Sequence, residues 1–220
     1  MKFSLAMLAV LALATPLKAD PAPPVSVGAL LRQESDLSAL PRLRDWTAHL
    51  QSSYDRTGGN GDAGNFVARD GRTVTLADVQ GPGALVRLWS ANPHGQFKIY
   101  VDDAPQPVVD VPFEKLFDGS TPPFAPPLAG PSSGGFYSYL PIPYARHCRV
   151  TVDDPGELYY HVGYVTYPAG TPVRAFALPL SSDDQAALTQ AQAAWSAPVW
   201  PTAGKVKANH IGPGRTGTLG

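Results

Sequence analysis

The chain has 220 residues, with 17 Lys and Arg against 18 Asp and Glu and a formal net charge of −1. This balance argues against nucleic acid or an anionic membrane as the main partner. Its 24 Pro and 21 Gly exclude a mainly helical protein, and the single cysteine, Cys148, excludes a disulfide within the chain, even in an oxidising compartment.

Residues 1–19 read as a signal peptide. Lys2 forms a short positive n-region, Phe3 to Ala14 an apolar h-region, and Leu17-Lys18-Ala19 a small-residue cleavage point before Asp20. The apolar run is too short to span a bilayer, so an exported protein, periplasmic or extracellular, is expected. Removing Lys2 and Lys18 with the peptide takes the net charge to −3. Residues 20–35 read as an extended Pro-rich leader. A short helix is predicted from about Asp36 to Gln51, with Asp36 as its cap. Asn65 to Ala68 and Thr73 to Leu76 flank Asp70-Gly71, a hairpin signal. Ala84 to Trp89 is the next expected strand, and Gln96 to Asp102 alternates with Phe97, Ile99 and Val101 on one face.

Pro112 to Phe117 fits one helical turn, and 119–135 is a Pro/Gly/Ser loop long enough to suggest function. Strands are expected over Phe136 to Tyr144, Arg146 to Val152 and Leu158 to Tyr167. Ser181 or Ser182 then caps a helix over Asp183 to Trp195, with Asp183 and Asp184 where the helix dipole favours acids. The whole reads as all-β: an antiparallel jelly-roll sandwich over 36–200, with a short N-terminal and a C-terminal helix, followed by a basic, Gly-rich tail over 201–220.

The densest polar chemistry lies at Ser52-Ser53-Tyr54-Asp55-Arg56-Thr57-Gly58-Gly59-Asn60-Gly61-Asp62. Two carboxylates, a guanidinium, a carboxamide and a phenol surround a Gly-Gly turn. Those acceptors and forked donors suit a polyhydroxylated partner. A structural reading has Asp55 and Arg56 pairing with the scaffold. A third makes Asp55, Asn60, Asp62 and Asn65 a calcium loop, although the spacing is not that of an EF-hand. The histidines show no zinc spacing, there is no Gly-x-Ser-x-Gly elbow, and no metal or cofactor is predicted. Ser132 to Gly135 reads as a flexible loop, Asp78 and Asp110 as turn residues, and Cys148 as a buried thiol facing away from His147. The aromatics Tyr159, Tyr160, Tyr164 and Tyr167 fit sheet packing.

The loop belongs to a longer series. It continues through Asn65-Phe66, Leu76 to Gly83, Val86-Arg87-Leu88-Trp89-Ser90-Ala91-Asn92-Pro93, Ile99 to Asp102, Ser133-Gly134-Gly135 and Ser138-Tyr139-Leu140-Pro141-Ile142-Pro143-Tyr144-Ala145. This series, over roughly residues 36–200, resembles the N-terminal half of the family once labelled domain of unknown function 2961, now glycoside hydrolase family 172. The resemblance implies exported bacterial proteins of two tandem jelly rolls that assemble as trimers or their multiples, with a likeness to double jelly-roll capsid proteins. It further implies retaining hydrolysis of fructofuranosides and D-arabinofuranosides by two glutamates of the second roll.

The only glutamates here are Glu34, Glu114 and Glu157, and none matches a catalytic motif of that family. The expectation is therefore a chain that ends where a second roll would start and lacks the catalytic pair. What remains is the polar loop, and in its functional reading Asp55, Arg56, Asn60 and Asp62 hydrogen-bond sugar hydroxyls while Tyr54 or Trp89 stacks on a ring. The partner is a furanoside oligosaccharide or polysaccharide, with a trimer-based homo-oligomer if the second half is supplied. The alternative is a non-catalytic carbohydrate-binding or capsid-like assembly module.

Overall fold

The computed structural model describes residues 23–196. The predicted signal peptide and the basic tail lie outside them. Eleven strands form two antiparallel sheets. The strands are β1 (Thr47–Ser52), β2 (Ala68–Asp70), β3 (Thr73–Gln80), β4 (Gly83–Ser90), β5 (Gln96–Val101), β6 (Val109–Pro112), β7 (Ala129–Ser132), β8 (Gly135–Ser138), β9 (Ile142–Tyr144), β10 (His147–Asp153) and β11 (Tyr160–Thr166). One sheet runs β1-β11-β4-β8-β7, with β9 also on β4; the other runs β2-β3-β10-β5-β6. The chain passes between sheets from β1 to β2, β3 to β4, β4 to β5, β6 to β7, β9 to β10 and β10 to β11, so strands distant in sequence become neighbours, as in a jelly roll.

Alternation explains the core. Val74 and Leu76 of β3, Phe97 and Ile99 of β5, and Val150 and Val152 of β10 point inward from one sheet. Leu85 and Leu88 of β4, Ile142 of β9, and Tyr160 and Val162 of β11 meet them from the other. Cys148 is fully buried among them, and burial pushes its thiol pKa up. That is an inert side chain rather than a nucleophile.

Two helices finish the domain: α1 (Val27–Glu34) and α2 (Ser182–Ser196). They pack on each other through Asp184, which is buried and accepts from the Gly28 N–H at 2.7 Å, from Arg174 at 2.8 Å and from the Ser181 hydroxyl at 2.7 Å. One carboxylate thus caps the first turn of α1 and joins the first turn of α2. Burial opposes its charge, yet Ser181, Gly28 and Arg174 together hold its pKa below the usual carboxylate range.

The N-terminal expectation needs correction. The leader is not extended throughout, since 27–34 is helix. Nor does a helix run over 36–51. Asp36 caps only a three-residue 3-10 turn, Leu37–Ala39, by accepting from Ser38 N–H at 3.0 Å, and Thr47–Ser52 is strand β1. Leu37, Leu40 and Leu43 have helical spacing but are 73%, 77% and 100% exposed, so no packed face rewards a helix there. Asp78 and Asp110 sit within β3 and β6 rather than in turns. The strand expected over Phe136 to Tyr144 breaks into β8 and β9. Ser132 to Gly135 is not a flexible loop. It closes the β7–β8 hairpin, with Ser133 at φ 49° and Gly134 at φ 78°, the paired positive values of a type I′ turn.

Candidate functional site

The 52–62 loop leaves the end of β1. Its root is fixed to β11: Ser53 N–H donates to Tyr160 O at 3.1 Å, and Tyr160 N–H donates to Ser53 Oγ at 3.1 Å. Asp55 Oδ1 accepts from Thr57 N–H at 2.9 Å and from Thr57 Oγ1 at 2.7 Å, while Oδ2 accepts from Gly61 N–H at 3.1 Å. These bonds, the Thr57 hydroxyl first, hold the Asp55 carboxyl below its usual pKa. Asp62 Oδ1 accepts from Asp55 N–H at 2.7 Å. Arg56 donates to the carbonyls of Tyr54 and Ser52 and lies 4.8 Å over the Tyr54 ring.

The two aspartates therefore shape the loop, and Asp55 and Arg56 both bond nearby backbone groups, as the structural reading expects. Asn65 turns its amide N–H groups to the carbonyls of Ser53 and Gly61, so its side chain donates where a calcium ligand would accept. Tyr54 is 56% exposed, and Arg56 and Asn60 are also exposed. These three face solvent and are available to a ligand. Among the described residues no group of three or more His, Cys, Asp or Glu is placed to hold a metal ion.

Trp89 belongs elsewhere. Strand register sets Ser52, His161, Trp89, Tyr137 and Gly130 in one row across β1, β11, β4, β8 and β7. The half of this outer sheet face nearer α1 is covered, through Leu30, Ala84, Val165 and Tyr167. The other half forms a groove of about 520 Å³ lined by Arg87, Trp89, Pro127, Ser132, Ser133, Tyr137, Tyr139 and Trp195. No residue of the 52–62 loop lines it.

The indole of Trp89 has the His161 ring on one side, centroids 4.9 Å apart, and Gly135 against it. A Cβ at Gly135 would lie 2.6 Å from Trp89 Nε1, so only glycine permits this placement. Tyr137, Tyr139 and Trp195 continue as a chain of rings at 5.4 and 5.6 Å. Arg87 reaches across the sheet to His161 Nδ1 at 3.3 Å, over Gly163, where β11 offers no side chain. Arginine only donates, so His161 Nδ1 accepts and Nε2 carries the proton. Burial first, then Arg87, lowers the His161 pKa and keeps the ring neutral at pH 7.

Sequence reasoning found Trp89 but missed Arg87, His161, Tyr137, Tyr139 and Trp195 as its neighbours. The i, i+2 spacing of Arg87 and Trp89, and of Tyr137 and Tyr139, was the available signal. The suspected loop at 119–135 supplies Pro127, Ser132 and Ser133 to the groove.

The three glutamates do not gather. Glu34 ends α1, Glu114 lies in a 3-10 turn at Phe113–Leu116, and Glu157 precedes β11. Glu34 is the unusual one: its Oε2 is buried with no partner among the described residues, and burial raises its pKa to about 8. It lies beside Arg44 and Trp46 in a separate cavity of about 320 Å³.

The chain belongs to glycoside hydrolase family 172: residues 44–184 match the model of that family's first β-sandwich domain. No curated protein matches the chain.

Proposed function

We propose that this chain is the sugar-holding sandwich of an exported family 172 hydrolase that acts on furanosides, and that the groove between Trp89 and Trp195 takes the saccharide. The observation that carries this reading is the composition of the groove: four aromatic rings, one arginine, two serines and no carboxylate. Aromatic faces and a few convergent polar groups bind sugar rings. Retaining hydrolysis needs two carboxylates about 5–5.5 Å apart. The groove offers neither, so it supplies binding and the glycosidic bond is cut by carboxylates from elsewhere. Export accords with the n- and h-regions of residues 1–19. A trimer-based assembly accords with the family resemblance.

The test is a paired assay on the 220-residue protein. Calorimetry with arabinofuranosyl and fructofuranosyl oligosaccharides should show binding, while aryl arabinofuranosides and fructofuranosides stay intact. Turnover abolished by Glu114→Gln or Glu157→Gln would place the chemistry in this chain and overturn the reading.

The 52–62 loop supports a second contact. Exposed Tyr54, Arg56 and Asn60 would meet a sugar, while Asp55 and Asp62 hold their backbone. Asp62→Asn keeps an acceptor for Asp55 N–H, so it should shift Tm by less than about 2 °C.

A further inference from the structure

We propose that the groove selects saccharides bearing a negative charge, a carboxylate, phosphate or sulfate on the ring, and that Arg87 reads that charge. The inference rests on the reading of the groove as a sugar site and adds to it the class of sugar.

Three observations carry it. Arg87 lines the groove, half-buried on β4, yet no carboxylate of the described residues lies within ion-pair distance of it. The other residues lining the groove include no Asp or Glu, so nothing there neutralises the guanidinium. Its one side-chain partner is the uncharged His161, at 3.3 Å, which accepts a single hydrogen bond and cancels no charge.

A cation in a half-dry aromatic pocket without a counter-ion is costly to hold. Arg56, Arg69 and Arg149 lie over aromatic rings, whereas Arg32 with Asp183, Arg72 with Asp154, Arg146 with Asp103 and Arg174 with Asp184 each find an aspartate. Arg87 differs because its setting is a concave site rather than a turn or helix end.

The remaining donors of the fork can take a carboxylate or phosphate edge in two parallel hydrogen bonds. The protonated Nε2 of His161 adds a donor on the neighbouring strand. Trp89, Tyr137, Tyr139 and Trp195 then offer ring faces to the sugar carrying the charge. The fold places the charge reader and the ring platform two residues apart on β4, a repeat of about 7 Å along the strand, comparable to one pyranose or furanose unit. A neutral sugar would use the rings alone and leave the guanidinium unpaired.

The test is calorimetric titration of the full chain with four oligosaccharides of one length: neutral, uronic-acid-bearing, phosphorylated and sulfated. The proposal expects at least one acidic glycan to bind about tenfold or more tighter than the neutral one, the size of one charge-assisted hydrogen bond. Raising the salt should narrow the gap, and which acidic arm binds identifies the charged group. Arg87→Gln should erase the preference, bringing the acidic glycans to the affinity the same variant shows for the neutral one, with Tm in place. If Arg87→Gln does not fold, Arg87→Lys replaces it, retaining the charge and losing the fork. There the preference should shrink and become more salt-sensitive.

Equal affinity for all four glycans, unaltered in the Arg87 variant, would overturn the charge selection and leave the groove a neutral-sugar site. Absence of binding to every glycan, with Arg87→Gln lowering Tm, would make Arg87 scaffold and remove the sugar site as well.

Discussion

His147 Nε2, at the start of β10, lies 2.6 Å from the Asp78 carboxylate of the neighbouring strand β3. Its other nitrogen, Nδ1, is 2.8 Å from Asp103 in the turn after β5. With carboxylates on both sides each ring nitrogen donates, so the ring is held as the imidazolium, and Asp78 and Asp103 raise its pKa against a smaller burial cost.

A raised histidine pKa contributes stability that is complete below the unfolded pKa, about 6.5, and is lost as pH rises through the folded value. Thermal melts should therefore show the margin of the native protein over His147→Gln shrinking from pH 6 upward. Both aspartates are well exposed, so the effect stays near or below about 1 kcal/mol. A margin that grows with pH would contradict the cationic bridge.

Glu34 gives the same direction from a different cause. Burial without a partner lifts its pKa to about 8, so the folded protein holds a proton that the unfolded chain releases above about pH 4.3. Stability is then lost as pH rises from there to about 8. Glu34→Gln keeps the shape and removes the penalty. It should stabilise by about 2 kcal/mol at pH 7 and be neutral at pH 4, in urea melts at the two pH values.

Asp184 ties the two helices. Asp184→Ala leaves the Gly28 N–H and the Arg174 guanidinium without their acceptor and should cost about 2–3 kcal/mol by denaturant melts. Asp183→Ala, next door on the exposed side, should cost within about 0.5 kcal/mol. Similar losses in both would show that α2 is held by packing alone.

Gly135→Ala tests the geometry of the platform. The added methyl would fall 2.6–3.0 Å from the Trp89 ring, which has to move. A loss of about 1–3 kcal/mol is expected, together with weaker sugar binding and an altered Trp89 indole signal by NMR. An unchanged indole signal would mean the ring is not where the groove needs it.

The sandwich was legible because its core strands alternate. Phe97, Ile99 and Val101 point one way, and Asp70-Gly71 turns the β2–β3 hairpin. The two ends of the domain were less so. Helix α1 is eight residues long and its first turn is satisfied by its cap Ser26 together with Asp184, 156 positions from Gly28, a partner that no local pattern reveals. Strand β1 is mostly exposed and therefore has no alternation to read. In the candidate site, Trp89 stood out as an aromatic in a strand. Its partnership with His161 and Arg87 depends on the β4–β11 register and on the bulge between Gly163 and Tyr164. The polar loop was legible as a loop, but the inward turn of Asp55 and Asp62 was not, since the same residues suit a ligand or a backbone.

The most direct test of the account is the affinity of one binding oligosaccharide for Trp89→Ala, measured by calorimetry beside Tyr54→Ala. If the groove is the main sugar site, Trp89→Ala loses about tenfold or more in affinity with a cooperative melt preserved, and Tyr54→Ala, at the second contact, loses clearly less. Unchanged affinity in Trp89→Ala, with the loss appearing in Tyr54→Ala, would move the site to the 52–62 loop and contradict the central claim.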